Sequence, residues 1–288
     1  MTSKEQKNTY LKVRDYSVSG EVFELVYDPE LDLLETEPKP SPEDLPNYYK
    51  SDDYISHTDN QRNLFEKIYH LARKISLKRK LNLVNSYAKE KGKLLDFGCG
   101  TGNFLNVCQE NGWSVLGIEP DNGARAIANK KVGDKVFESD KLNKLEPNTF
   151  DAITLWHVLE HLPQPEITIA AFKKLLKPNG ILIIAVPNYK SFDAKHYKEF
   201  WAAFDVPRHL WHFSKESISK LASKENMHII KIKPMSFDAF YVSLLSEKYK
   251  SGKMNVFKAF FIGLLSNIKS IVSKEASSLI YLVKNSQN

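Results

Sequence analysis

Asp96, the glycines at 98, 100 and 102, Glu119 and a cluster of histidines between 157 and 212 are the side chains best spaced to do chemistry. The first of these fall in KLLDFGCGTGN, residues 93–103. Two leucines run into an acid and then into a glycine-rich turn. Such a turn suits a nucleotide-like ligand, because glycine lets backbone approach it closely and the next helix presents unpaired N–H groups. Glu119 follows Asp96 by 23 residues, where a carboxylate at the end of the second strand can accept hydrogen bonds from both ribose hydroxyls. His157, Glu160 and His161 form HVLEH, and His209 and His212 lie in FDVPRHLWHFS, residues 204–214. A positioned histidine that takes a proton from a hydroxyl contributes roughly 10²–10⁴-fold to a rate.

The elements that must position these groups follow from the apolar pattern. Strands are predicted at 94–97, 114–118, 135–138, 150–156, 181–186 and 228–232, alternating with helices at 103–109, 122–130, 165–176 and 214–223. The continuous apolar runs imply strands buried on both faces, hence an α/β doubly wound parallel sheet. Lys177-Pro178-Asn179-Gly180 reads as a turn into the fifth strand. Upstream, residues 10–35 alternate like strands around a turn at Ser19-Gly20, and a proline-rich stretch precedes the aromatic anchors Tyr48, Tyr49 and Tyr54. Leu64, Ile68, Leu71, Ile75, Leu81, Val84 and Ala88 recur at helical spacing before Gly92 stops the pattern. The expected organisation is a small N-terminal β appendage at 1–60, linking helices at 61–92, a ligand-binding domain at 93–239 and 276–288, and a helical insertion at 240–275 before a seventh and last strand.

The order LLDFGCGTGNFL, GIEP at 117–120, FDAITLWHVLEHL at 150–162 and LLKPNGILIIAVPN at 175–188 resembles that of the class I S-adenosylmethionine-dependent methyltransferases. The resemblance covers roughly residues 60–288 and is nearest to quinone-type O-methyltransferases and related small-molecule enzymes. It implies a Rossmann-like seven-stranded sheet and S-adenosyl-L-methionine as cofactor. It also implies that Gly98, Cys99 and Gly100 offer backbone to the methionine moiety while Asp96 holds its ammonium. Glu119 would take the ribose, Asp140 the adenine amino group with Leu142 beside the ring, and Trp156 and His157 the sulfonium side. Transfer from an activated sulfonium needs proximity, alignment and exclusion of water. A hydroxyl acceptor also needs a base, for which His161 and His209 are the candidates, with Trp201, Phe204 and Trp211 expected to wall the acceptor pocket. HVLEH matches the inverted zinc-protease pattern too, but it sits at a strand-to-helix junction. In some quinone-type relatives an E-x-x-E-H arrangement is linked to a divalent metal, and His157 stands where they have the first glutamate, so no metal is expected. Related bacterial enzymes often open with a cysteine-rich zinc ribbon. Residues 15–19 look like that segment without its cysteines, which makes 1–60 a metal-free β unit beside the active site.

Charge is unevenly spread along the 288 residues, whose net charge is +6. Residues 1–60 carry six basic against fourteen acidic groups, 61–92 nine against two, 93–188 ten against eleven, and 189–288 sixteen against eight. A basic C-terminal third can attract an anionic substrate or a membrane surface. Its lysines are spread rather than striped with aromatics and no base-flipping tetrapeptide is present, so no nucleic-acid partner is expected and a nucleic-acid methyltransferase is the lesser alternative. A nicotinamide-binding fingerprint would need glycine at 103, where Asn103 stands. A non-catalytic protein retaining the pocket is the remaining alternative. Two cysteines make no disulfide framework and residues 1–12 contain no apolar signal core, so a cytoplasmic setting is expected. Residues 254–272 contain an apolar cluster interrupted by Lys258, Asn267 and Lys269. Its apolar core is expected to be too short to span a bilayer, to cover the sheet or the pocket, and otherwise to make peripheral membrane contact. The acceptor is expected to be a small molecule, with an apolar or lipid-like compound among the candidates.

Overall fold

The computed structural model describes residues 8–41, 43–49, 64–88 and 90–286, without side chains for 64–70. Tyr54 and the side chains of Leu64 and Ile68 therefore lie outside the described residues.

The body is one seven-stranded sheet. Its parallel part consists of β4 (Lys93–Phe97), β5 (Ser114–Ile118), β6 (Val136–Phe137), β7 (Phe150–Trp156) and β8 (Leu176–Pro187). β10 (Met227–Pro234) and β11 (Ser278–Asn285) complete it, with β11 antiparallel to both neighbours in the order β10-β11-β8-β7-β4-β5-β6. Side chains alternate between two cores, as strand geometry demands. Leu95, Ile153, Leu182 and Ile184 point into one, which α4 (Pro165–Leu175) and α6 (Lys215–Lys224) cover. Leu94, Ala152, Ile181 and Ile183 point into the other, under α1 (Leu64–Tyr87), α2 (Asn103–Glu110) and α3 (Asn122–Val132). The chain reverses its direction of strand addition between β4 and β7, which opens a crevice at their carboxyl ends.

One junction differs from expectation. The turn predicted at 177–180 is drawn into β8. Leu176 pairs with Phe150 and pairing resumes at Ile181 with a shifted register, because Gly180 packs against the Phe150 carbonyl. The helix expected at 165–176 starts where the sequence places it. Leu159–His161 is a single 3-10 turn and α4 begins at Pro165, since Pro163 and Pro165 bias the residues before them away from helical backbone.

The head strands β1 (Thr9–Arg14), β2 (Val22–Asp28) and β3 (Leu33–Glu37) form an antiparallel sheet whose fourth strand, β9 (Trp211–His212), comes from the body. Val13, Phe23, Leu25 and Leu34 pack there against Tyr197 (on α5, Phe192–Tyr197), Trp201, Phe204 and Val206. Trp201 and Phe204 are thus buried core residues, not a pocket wall, and the Trp201 indole donates to Asp193. The predicted inserted helices are α7 (Asp238–Ser251) and α8 (Val256–Ser273). Contrary to expectation, α8 is long and apolar enough by length and composition to cross a membrane. It lies on α7 and α5 rather than over the sheet.

Candidate active site

The loop after β4 is shaped by glycine. Gly98 has φ +73, and a Cβ there would meet Val158 Cγ2 at 2.4 Å. Its N–H and that of Cys99 both donate to the Ile118 carbonyl, which pins the loop to the end of β5. Gly102 starts α2 with left-handed backbone and no side-chain cap, so the first N–H groups of that helix stay open to a ligand. At Gly100 a Cβ would touch nothing, which leaves the loop's outer side open.

Three charged groups converge on this loop. Asp96, 2% exposed, accepts the Thr154 hydroxyl at 2.6 Å. Burial pushes its carboxyl up to about 7 and the Glu119 charge adds to that, against the Thr154 hydrogen bond and the Lys80 charge. Glu119 is also raised by burial, and each of its oxygens accepts one backbone N–H, from Gly100 at 2.7 Å and from Asp121 at 3.0 Å. Each carboxylate oxygen has two lone pairs, so one per oxygen remains for a further donor. Lys80 of α1 is lowered by burial and held by Asp96 and Asp238, with its ammonium 4.4 Å from the Trp156 ring centroid. The Trp156 indole N–H is buried without a partner. An orphaned donor beside a lysine suits a carboxylate. Lys80 was missed in the sequence, where only its place on a basic helix pointed to it.

The other predicted residues fall differently. His157, at φ +58, meets Asp238 through Nε2 at 2.9 Å and Glu160 through Nδ1 at 3.4 Å. Against the cost of burial, Asp238 and then Glu160 raise it to about 10. With both ring nitrogens engaged, it ties the end of β7 to α7 rather than offering a nitrogen to a ligand. Asp140 is not brought to the loop. It faces solvent and Lys144, which lowers its carboxyl. Cys99 contributes backbone, and burial raises its thiol.

A second cluster joins the 3-10 turn to the segment before β9. Glu160, 1% exposed, accepts no well-formed hydrogen bond on either oxygen. Against the cost of burial, the neighbouring His157 holds its carboxyl below the usual range. His209 Nδ1 lies 2.9 Å from the Ala203 carbonyl. A carbonyl only accepts, so Nδ1 is the donor there, and Nε2 faces Asp205 Oδ2 at 3.9 Å. His161 Nδ1 meets the Arg208 carbonyl at 3.0 Å and the Tyr49 hydroxyl at 3.1 Å. Burial, and then the facing His209 ring at 4.6 Å, lower His161 to about 4. Among the described residues, Glu160, His161 and His209 bring ligand atoms within 4.8 Å of one another, a spacing that would accommodate a cation. Arg208 locks the cluster in place. It donates to Asp205, to buried Asp15 of the head and to the Tyr48 carbonyl. A separate hollow of about 260 Å³ lies between Val18, Glu21 and Tyr48, and none of Glu160, His161 and His209 lines it.

A family model described as a methyltransferase domain matches residues 53–232. The chain belongs to this methyltransferase family. It is 39% identical over 101 residues to an uncharacterized methyltransferase of Bacillus cytotoxicus, which covers 34% of this chain and 48% of that protein. It is 34% identical over 110 residues to one from Bacillus mycoides, covering 37% and 52%. The chain thus spans about half the length of the curated relatives it matches. Among solved structures, this methyltransferase resembles a SAM-dependent methyltransferase from Archaeoglobus fulgidus, with TM-score 0.52 at 18% identity over 77% of this chain and 98% of that one. It also resembles the geranyl diphosphate C-methyltransferase of Streptomyces coelicolor, with TM-score 0.55 at 14% identity over 86% and 100%. At such identities the likeness is one of fold. The open glycine loop, the free lone pairs of Glu119 and the orphaned Trp156 N–H fit S-adenosylmethionine, the cofactor named for the Archaeoglobus fulgidus neighbour.

Proposed function

We propose that this methyltransferase moves a methyl group to the hydroxyl oxygen of a small, apolar or lipid-like acceptor, with the His161–His209 pair serving as base. When bound, the cofactor supplies a methyl group on a sulfonium, a leaving group that needs no protein acid. Asp96 binds its ammonium, Lys80 and the Trp156 N–H its carboxylate, and Glu119 its ribose. Val158, against Gly98, and the single turn that follows connect this half to the histidines.

The single observation that carries the base assignment is the Nδ1–Ala203 hydrogen bond of His209, which leaves Nε2 as the nitrogen able to take a proton in a ring grouped with Glu160 and His161. Two imidazoles with ring centroids 4.6 Å apart do not both hold a proton. With His161 lowered to about 4, the proton taken from the acceptor goes to His209. Glu160 and Asp205, whose oxygen is 3.9 Å from Nε2, stabilise the imidazolium. His161 and Tyr49 position the hydroxyl. The aromatic character of this rim, from Tyr49 to Trp211, supports an apolar acceptor.

Radiolabelled transfer to phenols, quinols and polyprenyl alcohols tests the reading. His209→Ala and His161→Ala should keep donor affinity within about three-fold while His209→Ala lowers turnover by ~10²-fold or more. Turnover by His209→Ala within ten-fold of the parent, or loss of donor binding in both variants, would overturn the assignment.

A further inference from the structure

Helix α8 carries a face that nothing among the described residues covers. Phe257 is 90% and Val272 87% exposed, and Phe260, Phe261, Leu264, Ile268 and Ile271 are also exposed. At 100° per residue these seven positions fall within an arc of roughly 120°, one continuous apolar stripe along the helix. No acidic residue occurs in α8. Lys258 and Lys269 border the stripe on one side, and the exposed Lys250, Lys253 and Lys274 stand at its two ends. Nearby Glu247 and Glu275 are already paired, with Lys258 and Lys215.

The opposite face explains why such a helix lies flat instead of crossing a bilayer. Ser266 donates to buried Asp193 at 2.6 Å and Gly263 lets α7 approach to backbone contact at Phe240, while Asn267, at the stripe's other border, donates to the Ser236 carbonyl. Pulling α8 into lipid would strip Asp193 of one of its donors and leave Ser266 unpaired in hydrocarbon, at several kcal/mol for each unsatisfied group. An amphipathic helix with a polar anchored side, an apolar outer side and lysines at the border sits in the plane of a membrane interface. We propose that α8 docks this protein onto an anionic lipid surface, its phenylalanines in the acyl boundary and its lysines among the headgroups. The lysines select anionic over neutral lipid. This inference stands independently of the transfer chemistry.

Co-sedimentation of the full chain with phosphatidylcholine vesicles, with and without phosphatidylglycerol, tests it. The protein is expected to pellet with the mixed vesicles and far less with phosphatidylcholine alone, and to be released as salt rises. The combined variant Phe257→Gln, Phe261→Gln and Ile271→Gln should weaken vesicle binding at least about ten-fold while leaving the thermal transition in place. Lys250→Glu with Lys253→Glu should remove the preference for anionic lipid. Equal pelleting by the parent and the triple variant, or no pelleting at low salt, would overturn the proposal. So would a parent that is a dimer in solution and a triple variant that is a monomer, since a second copy would then cover the stripe. Donor titration on the same preparations reads the methyltransferase site separately, so failure of one does not mimic failure of the other.

Discussion

Donor affinity should depend steeply on pH in a window set by Asp96. Burial holds its carboxyl at about 7 rather than near 3.8. A donor ammonium placed there prefers the ionised form, so binding releases a proton below that value and affinity falls as pH falls. With half-ionisation at about 7, roughly 3% of the unliganded sites are ionised at pH 5.5 and roughly 76% at pH 7.5, a ~25-fold change in affinity. Over that window an ordinary α-amine, with a pKa of about 8, stays largely protonated. The same shift has a sign for stability. A carboxyl raised from 3.8 to about 7 contributes stability fully present below 3.8 and lost as pH rises through 7, at most roughly 4 kcal/mol. The unliganded protein should therefore melt higher at pH 5.5 than its other groups alone would give, and saturating donor should flatten that gain. Calorimetric titration in two buffers of different ionisation enthalpy reads both the affinity and the protons released. Asp96→Asn should bind more weakly at pH 7.5 and lose the slope. An affinity constant across the window, or a slope that survives in Asp96→Asn, would refute the assignment of the ammonium to Asp96.

Three further perturbations separate the parts of the site. Glu119→Ala should weaken donor binding by ~10- to 100-fold, the loss of one or two charge-assisted hydrogen bonds, read by titration of the demethylated donor product; an unchanged affinity would place the ribose elsewhere. Lys80→Met removes a charge that holds Asp96 down, so the pH midpoint of donor binding should move upward and affinity at pH 7.5 should fall; a midpoint that stays or drops would contradict the pairing. Arg208→Met leaves Asp15 and Asp205 without their shared cation, and breaking a buried pair in this way costs about 3–5 kcal/mol. Urea denaturation measures it, and a loss under ~1 kcal/mol would mean that the head is held by its apolar core alone.

The parallel sheet was legible because burial on both faces leaves a run such as ILIIAV with no polar position, and because glycine and acid mark the strand ends that meet a ligand. Strand Phe150–Trp156 and strand Ser114–Ile118 lie where the sequence pattern places them. What the pattern could not supply was contact across long separations. Arg208 pairs with Asp15 over 193 residues, and neither shows any local sign of it. Trp201 and Phe204 read as pocket aromatics because the strands that bury them, from Val13 to Leu34, lie far upstream. The start of α4 was readable, since Pro163 and Pro165 carry a backbone rule that outweighs the apolar period of VLEHL. For α8 the apolar run reads in sequence as too short to span, because Lys258, Asn267 and Lys269 interrupt it, whereas the whole helix is long and apolar enough; the hydrogen bonds of Ser266 and Asn267 are what separate lying from spanning.

The two halves of the site rest on different supports, and that division has a functional consequence. Asp96, Glu119, Trp156 and Lys80 belong to strand ends and helix α1 of the main sheet, whose strands are buried among themselves. His209 belongs to a segment clamped between that sheet and the head. Leu210 N–H donates to the Glu160 carbonyl on one side, and Thr36 takes the His209 carbonyl and the His212 ring on the other. A shift of the head therefore moves His209 relative to Glu160 while the glycine loop stays pinned to Ile118. If His209 is the base proposed above, changes in the head should act on proton removal and acceptor fit and leave donor binding in place, so the two halves of the site can vary separately. Whatever covers α8 couples to the same segment, because Asp193 bonds both Ser266 of that helix and the indole of Trp201.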